Sequence, residues 1–203
     1  MKQIDVYITE KLKLNKDSSI KYDYHPKDKE ELMRLIGHLL RQSGGNADLN
    51  EIDVSGITDM SYLFLRQDPY KIDISEWDTS NVTNMTRMFS DCIHLECDLS
   101  NLNTSNVLYM SNMFVNCEKF TGDLSGWDVS KVRDMYCMFA GCKKFNSDLS
   151  KWDVGQVTDM EKMFYGCKNF TADLSGWNIQ GHVDMGDMFT GCKKINIPAW
   201  YKG

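Results

Sequence analysis

Cysteine, aspartate, methionine and tryptophan are the residue types here that could bind metal, do redox chemistry or grip a ligand. In this chain they recur at one fixed spacing. Cys92, Cys117, Cys142, Cys167 and Cys192 stand 25 residues apart. Such a column of thiols could hold metal or cross-link, but a closed zinc site needs four ligands converging on a point rather than a line. No Cys-x-x-Cys occurs, and one period earlier the position is Gln67. The column reads as small buried hydrophobes. Cys97 and Cys137 fall outside it, and Cys137 is expected on an outward position as an exposed, reactive thiol. The odd total of seven suits a reducing compartment.

The aspartates make a second column: Asp48, Asp73, Asp98, Asp123, Asp148 and Asp173. Like charges facing one another are destabilising unless answered. Calcium would be one answer. Backbone N–H groups, or the hydroxyls of Ser75, Ser100, Ser125, Ser150 and Ser175, would be another, and the simpler one. A further column, Asp53, Asp78, Asn103, Asp128, Asp153 and Asn178, accepts Asp or Asn alike. There the acceptor oxygen matters and the charge does not. Eleven of the 13 methionines share the spacing and lie beside an invariant phenylalanine, which favours core packing over a metal-binding stripe. Trp77, Trp127, Trp152 and Trp177 alternate with Ile52 and Leu102, so burial is what that position demands; a carbohydrate platform would need open rings. The four histidines stand in unrelated contexts, and no nucleophile elbow, phosphate loop or metal-ligand motif is present. No catalytic, cofactor-binding or metal residue is expected.

The elements that must position these columns follow from an exact repeat, which should be sought before anything else. Asp-Leu-Ser-x-Trp or a close variant opens at Asp73, Asp98, Asp123, Asp148 and Asp173, with a degenerate copy at Asp48. Six coils then run 48–72, 73–97, 98–122, 123–147, 148–172 and 173–197. Met160, Met163, Phe164 and Cys167 stand at i, i+3, i+4 and i+7, which predicts one face of a short helix, with Thr158 and Glu161 as its capping box. Asp91, Asn116, Gly141, Gly166 and Gly191 are the residue types that tolerate the left-handed conformation ending a helix. The stretch around Asp-Leu-Ser reads as a short strand. The expected fold is therefore an α/β solenoid, leucine-rich-repeat-like, of six 25-residue strand-plus-short-helix coils. Residues 1–47 are expected as an α+β cap: a strand through Ile4, Val6 and Ile8, then a helix after Pro26 with Leu32, Leu35, Ile36, Leu39 and Leu40 as its apolar stripe, ended by Gly44-Gly45. Residues 198–203 form the other cap, where Pro198 blocks strand pairing and Trp200-Tyr201 lie over the last coil.

Through DLSGWDVSKVRDMYCMFAGCKKFN (Asp123–Asn146) and its sister copies, and through HPKDKEELMRLI ahead of DLNEIDVSGITDMSYLF, the chain resembles the BspA-like leucine-rich repeat family, whose repeats are also seen in mycoplasma surface lipoproteins. The resemblance covers 48–197 and implies surface adhesion or interaction with other proteins. The sequence departs from exported members in having no signal peptide and no lipobox cysteine. As written it is expected in the cytoplasm, or at the cell surface if an export signal was removed.

If invariant columns are scaffold, variable ones carry recognition. Tyr136, Tyr165 and Val115 are candidate apolar contacts on neighbouring coils, with Arg87, Glu161 and Lys162 around them and Glu76 and Lys151 on the strand side. The net charge of -6 argues against nucleic acid, because phosphate binding depends on clustered Lys and Arg. No run approaches a membrane span. The expectation is a non-enzymatic module, monomeric when unbound and without cofactors, that binds another protein, in its sharpest form an immunity or antitoxin-type protein. The alternative is a surface adhesin for host protein or glycan; a calcium-dependent lectin-like domain is a third reading.

Overall fold

The computed structural model describes residues 22–202. Helix α1, Lys29–Gln42, is where the apolar stripe placed it. Asp28 caps it by accepting the Glu31 N–H at 2.8 Å. Leu32, Leu35, Ile36 and Leu40 are buried on its inner face. Gly44 and Gly45, at φ 63 and 89, turn the chain out of it. The expected strand through Ile4, Val6 and Ile8 lies outside the described residues.

The α/β solenoid of strand-plus-short-helix coils is overturned. Among the described residues the only helix is α1, and the only strands are β1, Asn46–Asp48, and β2, Lys71–Asp73, paired in parallel with Asp48 opposite Asp73. No helix forms between the methionines and the cysteine of each segment, and no strand forms at the later Asp-Leu-Ser motifs.

The reason is local. Asp-Leu-Ser-x-Trp closes as a turn: the Trp77 N–H donates to the Ile74 carbonyl at 3.1 Å, and Trp127, Trp152 and Trp177 repeat the bond to Leu124, Leu149 and Leu174. Side-chain acceptors that bond the backbone two residues on compete in this way with regular structure. In the expected helix, Tyr62, Arg87, Asn112, Cys137, Lys162 and Asp187 all take positive φ, from 52 to 64. A right-handed helix cannot run through a residue in that conformation. Overlapping four-residue turns replace it, such as Met88 N–H to Met85 at 3.1 Å and Cys92 N–H to Phe89 at 3.1 Å.

The remaining amides bond between segments. Met60, Tyr62, Phe64 and Arg66 donate to the carbonyls of Asn84, Thr86, Met88 and Ser90 at 2.8–3.1 Å. Successive segments therefore lie in register 25 residues apart, with single parallel bridges from Asp59 through Asn84, Tyr109, Asp134 and Asp159 to Asp184.

That register builds the core. Phe64, Phe89, Phe114, Phe139, Phe164 and Phe189 stack with centroids 5.1–5.8 Å apart and rings within 8° of parallel. A second stack, Phe120, Phe145 and Phe170, lies beside it, with Phe145 4.2 Å from Phe139. The methionines of both columns, from Met60 to Met163, are fully buried around these rings.

Candidate interaction surface

Each conspicuous column has a partner inside the fold. The thiols of Cys92, Cys117, Cys142, Cys167 and Cys192 lie 2.9–3.2 Å from the carbonyl oxygens of Phe64, Phe89, Phe114, Phe139 and Phe164, one segment back, and donate to them. Burial pushes the Cys92 thiol up to about 12 and that of Cys142 well above its ordinary value. Cys97, outside the column, is also held at about 12 by burial. Cys137 corrects the sequence reading: it is 8% exposed, and burial raises its pKa too. The same turn position is exposed or half-buried in the other segments, as at Tyr62 and Arg87, so the burial is particular to Cys137.

Reactivity should follow, because the thiolate is the nucleophile. At pH 8 a thiol of pKa about 12 is about one ten-thousandth ionised. Iodoacetamide on the folded protein should leave all seven cysteines unlabelled over a period that labels every one in denaturant, as read by intact mass. Fast native labelling at Cys137 would show that its turn opens.

The four repeat tryptophans, Trp77, Trp127, Trp152 and Trp177, are 3–5% exposed. The indole N–H groups of Trp77, Trp127, Trp152 and Trp177 donate to the carbonyls of Leu49, Leu99, Leu124 and Leu149 at 2.9–3.0 Å. Buried rings with satisfied N–H groups offer no stacking platform. Thr79 and Thr104, buried where other segments carry Val or Ile, donate to the carbonyls of Asn103 and Asp128, a pairing the sequence reading missed.

Asp98, Asp123, Asp148 and Asp173 each accept the N–H of the serine two residues on, at 2.9 Å. These bonds, with the serine hydroxyls, hold the four carboxyls below the usual carboxylate range. In the Asp/Asn column, Asp53, Asp78, Asn103, Asp128 and Asp153 likewise accept the N–H two residues on. A third such column went unrecognised in the sequence: Asp59, Asn84, Asp134, Asp159 and Asp184 each accept the N–H two residues on. Among the described residues no three His, Cys, Asp or Glu side chains converge to hold a metal ion.

In that third column Asp159 is the exception. Burial first, then the carboxylates of Asp134, Asp184 and Glu161, raise its pKa above 3.8. A carboxyl raised by folding stabilises below its unfolded pKa, and that contribution is lost as pH rises through the folded value. The four lowered carboxyls act oppositely: their stabilisation is present above 3.8 and lost as pH falls through their folded values. Asp159→Asn keeps the acceptor for the Glu161 N–H and removes the charge. It should therefore unfold at higher urea than the parent at pH 7, with the gain gone at pH 3. A gain equal at both pH values would mean that charge is not the cause.

What remains free is the row of variable residues on the turns. Tyr165 is 45% exposed, and Arg87, three segments earlier, is exposed on the same turn row. Val115 and Tyr136 are half-buried. Lys162 donates to Glu161, so this pair is partly tied up in itself. Glu76 and Lys151 are exposed but sit apart, on the Asp-Leu-Ser side. Lys151 borders an open groove of about 670 Å³ together with Thr121, Asp123, Asn146 and Asp148. The sequence reading missed Tyr62 and Tyr109, 43% and 42% exposed on the turn row. Tyr109 could have been found, because it breaks the third acceptor column. Tyr70 and His94 also stack at the surface, with His94 Nδ1 2.9 Å from Asp68 Oδ2.

The chain was compared with known proteins on this footing. No curated protein and no solved structure matches it. One family model matches twice, over residues 36–136 and 103–200. These two stretches overlap and take in the second half of α1, the stacked segments and the turn row. The chain belongs to the family described as Mycoplasma protein of unknown function, DUF285.

Proposed function

We infer that this chain is a non-enzymatic module that binds another protein through the turn row carrying Tyr62, Arg87, Tyr109, Val115, Tyr136 and Tyr165. One observation carries the reading: the thiols, indoles and repeated carboxylates that could do chemistry have partners inside the fold, whereas this row exposes tyrosines. Tyrosine and arginine are enriched among the residues that dominate protein interfaces. Its sharpest form is an intracellular immunity or antitoxin-type binder, for which the acidic balance of 29 Asp and Glu to 23 Lys and Arg favours a basic partner. The resemblance of the Asp123–Asn146 motif to the BspA-like proteins supports a second reading, an adhesin displayed at the cell surface.

Capture from a lysate of the source cell, compared between the parent and Tyr136→Ala/Tyr165→Ala, tests the face. The double variant should weaken the captured complex by about tenfold or more while melting with the parent. Equal affinity would place the contact elsewhere. Antibody labelling of intact cells separates the two readings, since only the adhesin is reached from outside.

A further inference from the structure

The chain carries a net charge of -6, yet one corner of it is basic. Lys119, Lys144 and Lys194, with Asn169 between the last two, occupy one column of the repeat, and Lys143, Lys168 and Lys193 occupy the column before it. Phe120, Phe145 and Phe170 follow the first column in the chain and stack 6.0 and 5.9 Å apart, which spaces its residues at about the same interval. Five of the six lysines are exposed and Lys143 is half-buried. Among the described residues only Lys143 has an anionic partner, Glu118 at 2.5 Å, while Lys194 donates to the neutral Asn169 at 3.0 Å. Stretches 116–121, 141–146, 166–171 and 191–196 hold these six lysines and one acidic residue, a net +5, so the rest of the chain carries -11.

The main chain of this corner adds donors. In two earlier segments the N–H at this position is answered from the segment before: His94 donates to Asp68 Oδ1 at 2.8 Å, and Lys119 to the Ile93 carbonyl at 3.2 Å. The N–H groups of Lys144, Asn169 and Lys194, at the same position in the next three segments, have no acceptor among the described residues. Asp68 shows what such a position takes. One of its oxygens accepts the main-chain N–H of His94 and the other meets His94 Nδ1 at 2.9 Å, so the main chain and side chain of one residue clamp one carboxylate. The residue corresponding to Asp68 is Glu118 ahead of Lys144, and it pairs with Lys143 instead. Ahead of Asn169 and Lys194 it is Lys143 and Lys168. Where the fold stops supplying the anion, it supplies a further cation.

We infer that this corner holds an extended acidic segment of a partner protein, whose carboxylates sit on the N–H and ammonium groups of Lys144 and Lys194 as Asp68 sits on His94. Alternate side chains of an extended peptide recur every 6.7 Å or so, about the interval of the column. Such a peptide laid across the segments brings about one carboxylate to each. Bonds from main-chain N–H or ammonium groups to a carboxylate are charge-assisted and stronger than neutral ones. A phosphate polymer or an anionic membrane fits less well. Asp98 and Asp123, of the long aspartate column, border the same open groove of about 580 Å³ as Lys119 and Lys144, so a broad anionic surface would meet carboxylates there. The rings next to the lysines, Phe120, Phe145 and Phe170, are buried and give a nucleic-acid base nothing to stack on. A segment one strand wide avoids the aspartates. The corner is a local exception to the acidic balance that favours a basic partner. It shares no residue with the tyrosine row, and either can fail without the other.

The test titrates the full chain with a peptide of about 12 residues alternating Glu and Ser, read by NMR and by fluorescence anisotropy at low salt. The amides of Lys144, Asn169 and Lys194 should shift most, and those of His94, Lys71 and Lys151 little. Lys144→Gln/Lys194→Gln should weaken the peptide by about tenfold or more while melting with the parent. Lys71→Gln/Lys151→Gln, at exposed lysines off the corner, should leave the affinity within about twofold. No binding, equal shifts at Lys71 and Lys151, or an unchanged affinity in the Lys144/Lys194 variant overturns the corner. Tighter binding of a DNA duplex or of phosphatidylserine vesicles than of the peptide overturns the acidic segment and assigns the corner to phosphate.

Discussion

Phe139→Ala should lower the unfolding free energy by about 3–5 kcal/mol, the upper range for truncating a buried aromatic. The ring is fully buried and lies between Phe114 and Phe164 at 5.6 Å on either side. Phe145 packs on it at 4.2 Å, and Trp152 tilts against it at 6.3 Å. No neighbour can collapse into the space without giving up its own stack, so most of the cavity should persist. For a chain of this size about 1 kcal/mol corresponds to roughly 2–4 °C, which predicts a fall in Tm of about 6–20 °C. Phe189→Ala is the internal comparison: that ring ends the stack, is 5% exposed and has Tyr201 edge-on at 5.0 Å. It should cost clearly less. Urea unfolding measures both, and a loss below about 1 kcal/mol at Phe139 would mean that the core repacks freely.

The same stack shows what could be read in the sequence. The 25-residue register, the inward Phe, Met and Trp columns and α1 with its apolar stripe were all legible, because burial constrains residue type; the Asp28 cap was not read. The backbone between them was not. Residues three and four apart point the same way in a helix, and overlapping four-residue turns do the same, so Met160, Met163, Phe164 and Cys167 satisfy either. The discriminating feature is the positive φ at Tyr62, Arg87, Asn112, Cys137, Lys162 and Asp187. None of these is glycine, and only Asn112 and Asp187 are of types that favour that conformation, so the column as a whole does not reveal it. At the other left-handed position the drift from Arg66 through Asp91 and Asn116 to Gly141, Gly166 and Gly191 was visible, and φ there runs from 56 to 82. Cys137 was misplaced for another reason: its turn position is exposed or half-buried in the other segments, and its own burial has no signal in the repeat. The surface candidates were found by variability, which marks what the core does not need. It located Arg87 and Tyr165 but could not separate them from the half-buried Val115 and Tyr136.

Gly122→Ala tests the packing beside that core. A Cβ at Gly122 would lie 2.5 Å from Phe120 Cζ and 2.7 Å from its Cε2, closer than real contacts allow. Phe120 is 1% exposed and stacks on Phe114 at 4.6 Å and Phe145 at 6.0 Å, so its ring cannot swing away without disturbing both. Overpacking of this kind costs about 1–3 kcal/mol. Gly126, four residues on, has nothing within 4 Å of the same added atom. Gly126→Ala should therefore be neutral or stabilise by up to about 1 kcal/mol, through the unfolded chain alone. The pair separates a steric cause from any general effect of losing glycine. A double-mutant cycle then identifies the atom responsible: in a Phe120→Leu background most of the Gly122→Ala penalty should vanish, a coupling of about 1 kcal/mol or more. If the penalty persists there, the backbone at Gly122 and not the Phe120 ring sets the limit. If Gly122→Ala alone costs nothing, Phe120 shifts to make room, as Phe145 must in a segment that carries Ser147 two residues on.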